Sequence, residues 1–336
     1  MTEKKQKKLL DKDTDKDKES KTPVLNVSPS PHISAHALTT RKMMVDVLIA
    51  LCPVVIMAVY VFKWLVFKQL GICLFSCLLA EMCFVKIRGK SLSINDGSAA
   101  ITGIILGLSI PVIAPWYVGV IGSVVAIGIG KVIFGGLGMN IFNPAMVGRA
   151  FVMISFAGAM AASGYVNLES PVDVMTMATP LNAFKQGGII TPINHLFIGL
   201  TNGSPGEVSA IACLIGGIYL CIRRTVSWEI PAGVILAVFV TGGLADVVGA
   251  QSGWTVMHHL LGGALLFGAF FIASDPVTSP LTPKGKFVFG IGVGLLVMLL
   301  RVFSGYPEGL MFAILLMNAV TPLINRWLRH KTLGEQ

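Results

Sequence analysis

Apolar runs long enough to cross a lipid bilayer recur from Met44 to the last helical turn, and they constrain the fold more than any other feature. Hydrocarbon offers no hydrogen-bond partners, so a crossing segment must satisfy its own backbone groups. Outside closed barrels, that requires an α-helix of about 20 apolar residues. Reading for such runs predicts about ten transmembrane helices, at 44–62, 65–85, 97–112, 116–136, 144–163, 206–222, 229–249, 256–273, 285–303 and 308–325. The third and fourth are parted only by Pro111-Val112-Ile113-Ala114-Pro115, which predicts a tight turn. Only 13% of the 336 residues are charged, about half the share of a soluble domain. Many of those charges crowd into the mixed-charge stretch from Met1 to Thr22, so the remainder is too apolar for water to solvate. The fold class is therefore an all-α polytopic membrane protein.

Orientation follows from the short loops, where lysine and arginine favour the cytoplasmic side. With the N-terminus cytoplasmic, the loops on that side carry Lys86, Arg88, Lys90, Arg223, Arg224, Lys284 and Lys286, and the C-terminal end adds Arg326, Arg329 and Lys331. The opposite side receives Lys63, Lys68 and Lys185, with Arg301 near a helix end. Both termini are thus expected inside, and the longest loop, 164–205, outside. The expected organisation is a disordered cytoplasmic tail (1–30), a first transmembrane repeat (31–163), the extracytoplasmic loop (164–205), a second repeat (206–326) and a short cytoplasmic tail (327–336). Five spans per half would insert the second repeat upside down relative to the first. Gly103 stands eight residues before Pro111 and Gly268 eight before Pro276, in keeping with such a duplication.

The net charge of +9 belongs to these flanks, and nucleic acid is not an expected partner; membrane lipid is. The six cysteines all fall in apolar stretches and are expected as small buried hydrophobes, with no metal motif among them. Gly128-Ile-Gly130 sits inside a span, without the strand and helix that a dinucleotide fingerprint needs. Acids within spans are functional candidates, because an ionised carboxylate is costly there. Asp46, Glu81, Glu207, Asp246 and Asp275 qualify, with Glu207 and Asp275 expected at interfaces where water solvates them. His258 and His259 are likewise expected at an interface, and Lys131 and Arg149 are expected to snorkel to it.

The outer loop contains Asp173-Val-Met-Thr176-Met-Ala178-Thr179-Pro180. On its own this reads as turn chemistry, with an exposed hydroxyl, small neighbours and a proline that fixes the chain direction. It resembles the Asp-x-x-(Ser/Thr)-x-Ala-Thr signature of membrane redox subunits, with Met177 where family members commonly have Gly. The resemblance runs through Asp96-Gly-Ser-Ala-Ala-Ile-Thr-Gly103, Gly136-Leu-Gly-Met-Asn140-Ile-Phe-Asn143-Pro-Ala145, Gly268-Ala-Phe-Phe-Ile-Ala-Ser-Asp275-Pro-Val-Thr-Ser-Pro280 and Gly305-Tyr-Pro-Glu-Gly309. Together these resemble the D subunits of Rnf complexes, ion-translocating ferredoxin:NAD oxidoreductases. The B subunits of sodium-translocating NADH:quinone reductases are related.

The resemblance implies two inverted five-helix repeats like those of urea and ammonium channels, in a bacterial inner membrane. It implies FMN esterified to Thr179 by a flavin transferase, with Asp173, Thr176 and Ala178 completing the signature. It also implies a second, non-covalent riboflavin near Asn140 and Asn143, with Asp275 a candidate for lining a flavin or cation site. Asparagine amides suit the polar edge of a flavin ring, though the same residues would also cap a helix starting at Pro144. Partners would be the other subunits of the complex, including a second flavinylated one. Two other readings stand beside this: a passive channel for small solutes on the same fold, and a quinone-reductase B subunit.

Overall fold

A computed structural model of the chain describes residues 39–89, 96–161, 164–165, 175–176, 179–248, 253–304 and 308–328. The expected tail at 1–30 lies outside the described residues, as do 329–336 of the C-terminal tail.

The first half opens with two long helices, α1 (Thr40–Phe62) and α2 (Trp64–Ile87). Thr39 caps α1, its Oγ1 accepting from Lys42 N, and Lys63 with φ 51° ends the helix and starts the next. Then come α3 (Ser98–Ser109), α4 (Trp116–Ile127), a π-helical turn over Gly128–Val132, α5 (Pro144–Ser155) and the short α6 (Ala157–Ala161). Pro111 and Pro115 bracket the expected turn, closed by Ala114 N donating to Pro111 O at 3.0 Å.

The long loop between the halves holds β1 (Gly164–Tyr165) paired antiparallel with β2 (Met175–Thr176), then α7 (Pro180–Gly187) and α8 (Ile193–Ile198). The two-residue ladder is a small departure from a purely helical fold. The second half comprises α9 (Ala210–Ile222), α10 (Glu229–Val248), α11 (Val256–Leu261), α12 (Leu265–Phe267), a second π turn over Gly268–Ile272, α13 (Pro283–Phe303) and α14 (Leu310–Trp327).

Each expected run contains helix, but among the described residues only α1, α2, α10, α13 and α14 are long and apolar enough to cross a bilayer as unbroken helices. The others are shorter or interrupted. The fifth run breaks at Phe156, whose φ of −129° and ψ of 47° leave the helical region. The eighth breaks at Gly262–Ala264, where Gly263 adopts φ 71°, a conformation that a Cβ would strain. Non-helical backbone at membrane depth is tolerated where protein buries it or where it lines a cavity.

The two halves share one packing scheme: α2 lies on α4 and α10 on α13, α4 on α5 and α13 on α14, while α1 and α9 face each other. Glycine allows the closest approaches. A Cβ on Gly216 would overlap the Ala50 carbonyl, and one on Gly290 the Ile230 carbonyl. Lipid tails provide no hydrophobic drive between helices, so this intimacy of small residues is what holds them together. Outward faces stay apolar, as with Ile49, Ile56 and Tyr60 on α1, whose opposite face buries Ala50, Leu51, Val54 and Ala58. This is the pattern of a helix between lipid and protein.

Candidate functional site

A cavity with about 810 Å3 of empty volume, its open mouth included, lies between the halves. It brings together Asn140, Asn143 and Asp275, which lie far apart in sequence. Its apolar wall includes Met44, Ile101, Ile105, Phe270 and Phe271; Ser98, Thr102, Lys131 and Thr225 add polar groups. The lining mixes apolar side chains with a few polar groups, as ligand-binding clefts do.

Asn143 takes the capping role. Its Oδ1 accepts from Ala145 N at 3.1 Å and Met146 N at 3.3 Å, while its Nδ2 donates to Ile272 O at 3.3 Å, tying α5 to the second π turn. Asn318 of α14 joins them: with its amide oriented to satisfy both ends, it accepts from Asn143 N at 3.0 Å and donates to Ile314 O at 3.2 Å. Asn140 donates from Nδ2 to Phe142 O at 3.2 Å. Asp275 is folded onto its own turn, Oδ1 accepting from Val277 N and Oδ2 from the Thr278 hydroxyl, each at 3.2 Å. It is half-buried on the cavity wall.

Lys131 does not snorkel. It sits on the first π turn, 2% exposed, with Nζ 2.5 Å from both Glu81 Oε1 and Ser98 Oγ. Ser98 in turn donates to Asp96 Oδ1 at 2.6 Å, so a polar chain runs from α2 to the cavity wall. π turns recur at functional sites because they re-aim one side chain within a helix, and here that side chain is a cation. Asp46 is also buried, against Arg223 at 3.4 Å and Thr225 Oγ1 at 3.0 Å. Among the described residues, no group of three or more His, Cys, Asp or Glu could hold a metal.

Thr179 lies apart from this cavity, at the head of α7. It is the N-cap, with Oγ1 accepting from Asn182 N at 3.3 Å and Pro180 at the first helical position. The helix that carries it is docked rather than loose. Leu181 is buried, the Phe184 ring stacks on Trp254 with centroids 4.7 Å apart, and Lys185 Nζ donates to Ser304 O at 2.8 Å. Burial and the nearby Arg301 hold the Lys185 ammonium below its usual pKa. Of the other signature residues, Asp173 and Ala178 lie outside the described residues, and Thr176 is described only through its backbone pairing with Gly164.

A small pocket beside Thr179, with about 250 Å3 of empty volume once its open mouth is included, is lined by Thr201, Asn202, Glu207, Gly263 and Glu308. Arg149 is buried here, its NH2 3.1 Å from Glu308 Oε2, so it too fails to snorkel, and Glu207 is half-buried with its Oε2 shielded from solvent. His258 and His259 are buried as well, His258 through a capping box with Thr255 and a 3.2 Å contact from Nε2 to Thr191 O. Sequence reasoning places these charged groups at interfaces because a lone charge in an apolar run shows nothing of a distant partner.

Comparison with known proteins supplies the rest. A sequence model of the NQR2, RnfD, RnfE family matches residues 26–334. A protein of Acetobacterium woodii, named as the D subunit of a Na(+)-translocating ferredoxin:NAD(+) oxidoreductase complex, is 41% identical, covering 92% of this chain and 95% of its own. A Clostridium ljungdahlii protein, named as the D subunit of a proton-translocating ferredoxin:NAD(+) oxidoreductase complex, is 39% identical, covering 90% and 94%. One from Actinobacillus succinogenes, named as the D subunit of an ion-translocating oxidoreductase complex, is 36% identical over 93% of this chain and 98% of its own.

Proposed function

The chain belongs to the NQR2, RnfD, RnfE family, and from that membership we propose that it is the D subunit of an Rnf-type complex. In this reading it carries electrons between ferredoxin and NAD sites held by other subunits, and their flow is coupled to ion translocation across the bacterial inner membrane. Its termini face the cytoplasm and the loop bearing Thr179 faces outward. The relatives above are named as complex subunits and not as solute channels.

The observation that carries the cofactor assignment is the placement of Thr179. A hydroxyl at the N-cap of a docked helix can be esterified without entering the core. A phosphate there would lie against the first backbone N–H groups of α7 and the positive end of its dipole. The residues therefore fit an FMN phosphoester, attached by a flavin transferase, and a covalent tether keeps the flavin at high local concentration near its partners. The large cavity fits a second, non-covalent flavin of the riboflavin type. Phe270, Phe271 and Ile101 would pack on the ring, with Asn140 and Lys131 on the same wall as donors to its polar edge. When bound, a flavin supplies the electron-accepting chemistry, while the protein sets its position and surroundings. Lys131 holds a positive charge at the cavity wall, Glu81 keeps that charge in place, and the apolar residues limit water. The other subunits, one of them also flavinylated, would dock around this chain.

The test is intact mass and in-gel flavin fluorescence of the denatured chain, co-expressed with its transferase, beside Thr179→Ala. An adduct that survives denaturation in the parent chain and is lost in the variant is expected. A parent chain without an adduct, when the transferase modifies another substrate, would remove the FMN assignment.

A further inference from the structure

Three of the helices long enough to cross a bilayer end at one corner of the protein: α10 and α13 begin there, and α14 finishes there. Polar contacts join the three ends. Lys286, in the first turn of α13, donates from Nζ to Ser227 Oγ, just ahead of α10, at 2.5 Å. Leu281 N, just ahead of α13, donates to Asn325 Oδ1 in the last turn of α14 at 3.0 Å. Between them the helices pack closely, since a Cβ on Gly285 would stand 3.3 Å from Ile324 Cγ2.

These contacts gather Lys284, Lys286 and Arg326 on one surface, the first and last exposed and Lys286 half-buried. Against three cations, segments 227–229, 281–286 and 323–328 supply one acid, Glu229. Trp228 and Trp327 are both exposed at the same level, as tryptophans are at the boundary between headgroups and hydrocarbon. Basic residues flank spans generally, because they set orientation during insertion. That rule asks only for charge near a span. It does not ask for cations from two helices to be held together by hydrogen bonds to a neighbouring loop and helix.

What lies beyond the cations is apolar and open. Val288 and Leu295 on α13 and Leu316 and Leu323 on α14 are exposed, and each pair is spaced seven residues apart along one face of its helix. Leu295 lies eleven residues past Lys284 and Leu316 ten before Arg326, so both rows run about 15 Å inward. That is half of a hydrocarbon core about 30 Å thick, the depth of one leaflet. A charged head and an apolar track of that length match a single phospholipid. An acidic protein segment would use the head and leave the track to solvent lipid.

We propose that this corner binds an anionic phospholipid, with its phosphate at Lys284, Lys286 and Arg326 and its acyl chains along α13 and α14. In the orientation proposed above, this is the cytoplasmic face, where anionic lipids attract basic segments beside spans. Binding itself requires neither that orientation nor either flavin.

The experiment is native mass spectrometry of the full-length chain in detergent, titrated with phosphatidylglycerol, cardiolipin or phosphatidylcholine of matched acyl chains. The parent is expected to retain the two anionic lipids at concentrations where phosphatidylcholine is lost. The exposed double variant Lys284→Gln with Arg326→Gln should need roughly tenfold more anionic lipid for the same occupancy. Lys284→Arg with Arg326→Lys should bind as the parent does, and so should Lys68→Gln, which removes an exposed cation elsewhere. Equal retention of phosphatidylcholine would overturn the proposal, as would a glutamine variant that binds like the parent. If that variant keeps its lipid but sheds another subunit when the complex is purified, the corner belongs to a protein partner and the proposal fails. Should the variant fail to fold, the parent decides: its anionic lipid must be released as salt rises, and retention indifferent to salt would overturn the assignment.

Discussion

The ammonium of Lys131 lies 2.5 Å from Glu81 Oε1, and the two side chains are 3% and 1% exposed. An ion pair this deep is dear to desolvate, and removing one member strands the other. Lys131→Met alone should therefore destabilise the protein by about 3–5 kcal/mol. The double variant Lys131→Met with Glu81→Met should recover most of that loss, since it strands no charge. Thermal unfolding in detergent compares them; a double variant as unstable as the single one would show that the pair is not what holds this corner.

The approach of α9 to α1 depends on Gly216. Its missing Cβ is where the Ala50 carbonyl sits, and Phe271 closes the other side. Gly216→Ala must push two helices apart along the wall of the large cavity, at a cost of about 1–3 kcal/mol or more. Gly71 in α2 has nothing within 4 Å of the same position, so Gly71→Ala should be neutral or slightly stabilising. Equal effects of the two substitutions on the unfolding temperature would contradict this account of the packing.

Asn143 does two jobs that substitution can separate. Asn143→Ala removes both the cap on α5 and the bond to Ile272 O, a loss of about 2 kcal/mol. Asn143→Ser keeps a capping oxygen and loses only the bridge, so it should forfeit roughly half as much. If both variants unfold with the parent, the asparagine is not structural, and its side chain is left to the occupant of the cavity.

Much of the architecture is legible in the sequence because hydropathy reports directly on what lipid tolerates, and every expected run contains helix. The breaks are not, since Phe156 and Gly262–Ala264 interrupt backbone geometry without interrupting apolarity. The Gly262-Gly263 pair is the visible signal, and it is easily passed over in a chain rich in glycine. The cavity residues Asn140, Asn143 and Asp275 can be named from sequence, but not their convergence. The pairs Lys131–Glu81 and Arg149–Glu308 are invisible there for a simpler reason. Their members lie 50 and 159 residues apart, and a charge in an apolar run reads alike whether it reaches for water or for a partner.

Thr179 is both a helix cap and the expected point of attachment, and the two roles respond differently to substitution. Thr179→Asn supplies a side-chain oxygen that caps α7 at least as well as threonine does, yet it offers no hydroxyl to esterify. Thr179→Ala lacks both, and should loosen α7 by about 1 kcal/mol. Hydrogen exchange over Pro180–Gly187 should therefore match the parent chain in the asparagine variant and quicken in the alanine variant. Covalent flavin should be absent from both. Because α7 remains docked through Leu181, Phe184 and Lys185 in either case, loss of flavin from a well-ordered Thr179→Asn chain would identify the missing hydroxyl as the cause. An adduct retained in that variant would move the attachment to another hydroxyl, Thr176 being the nearest in the same signature.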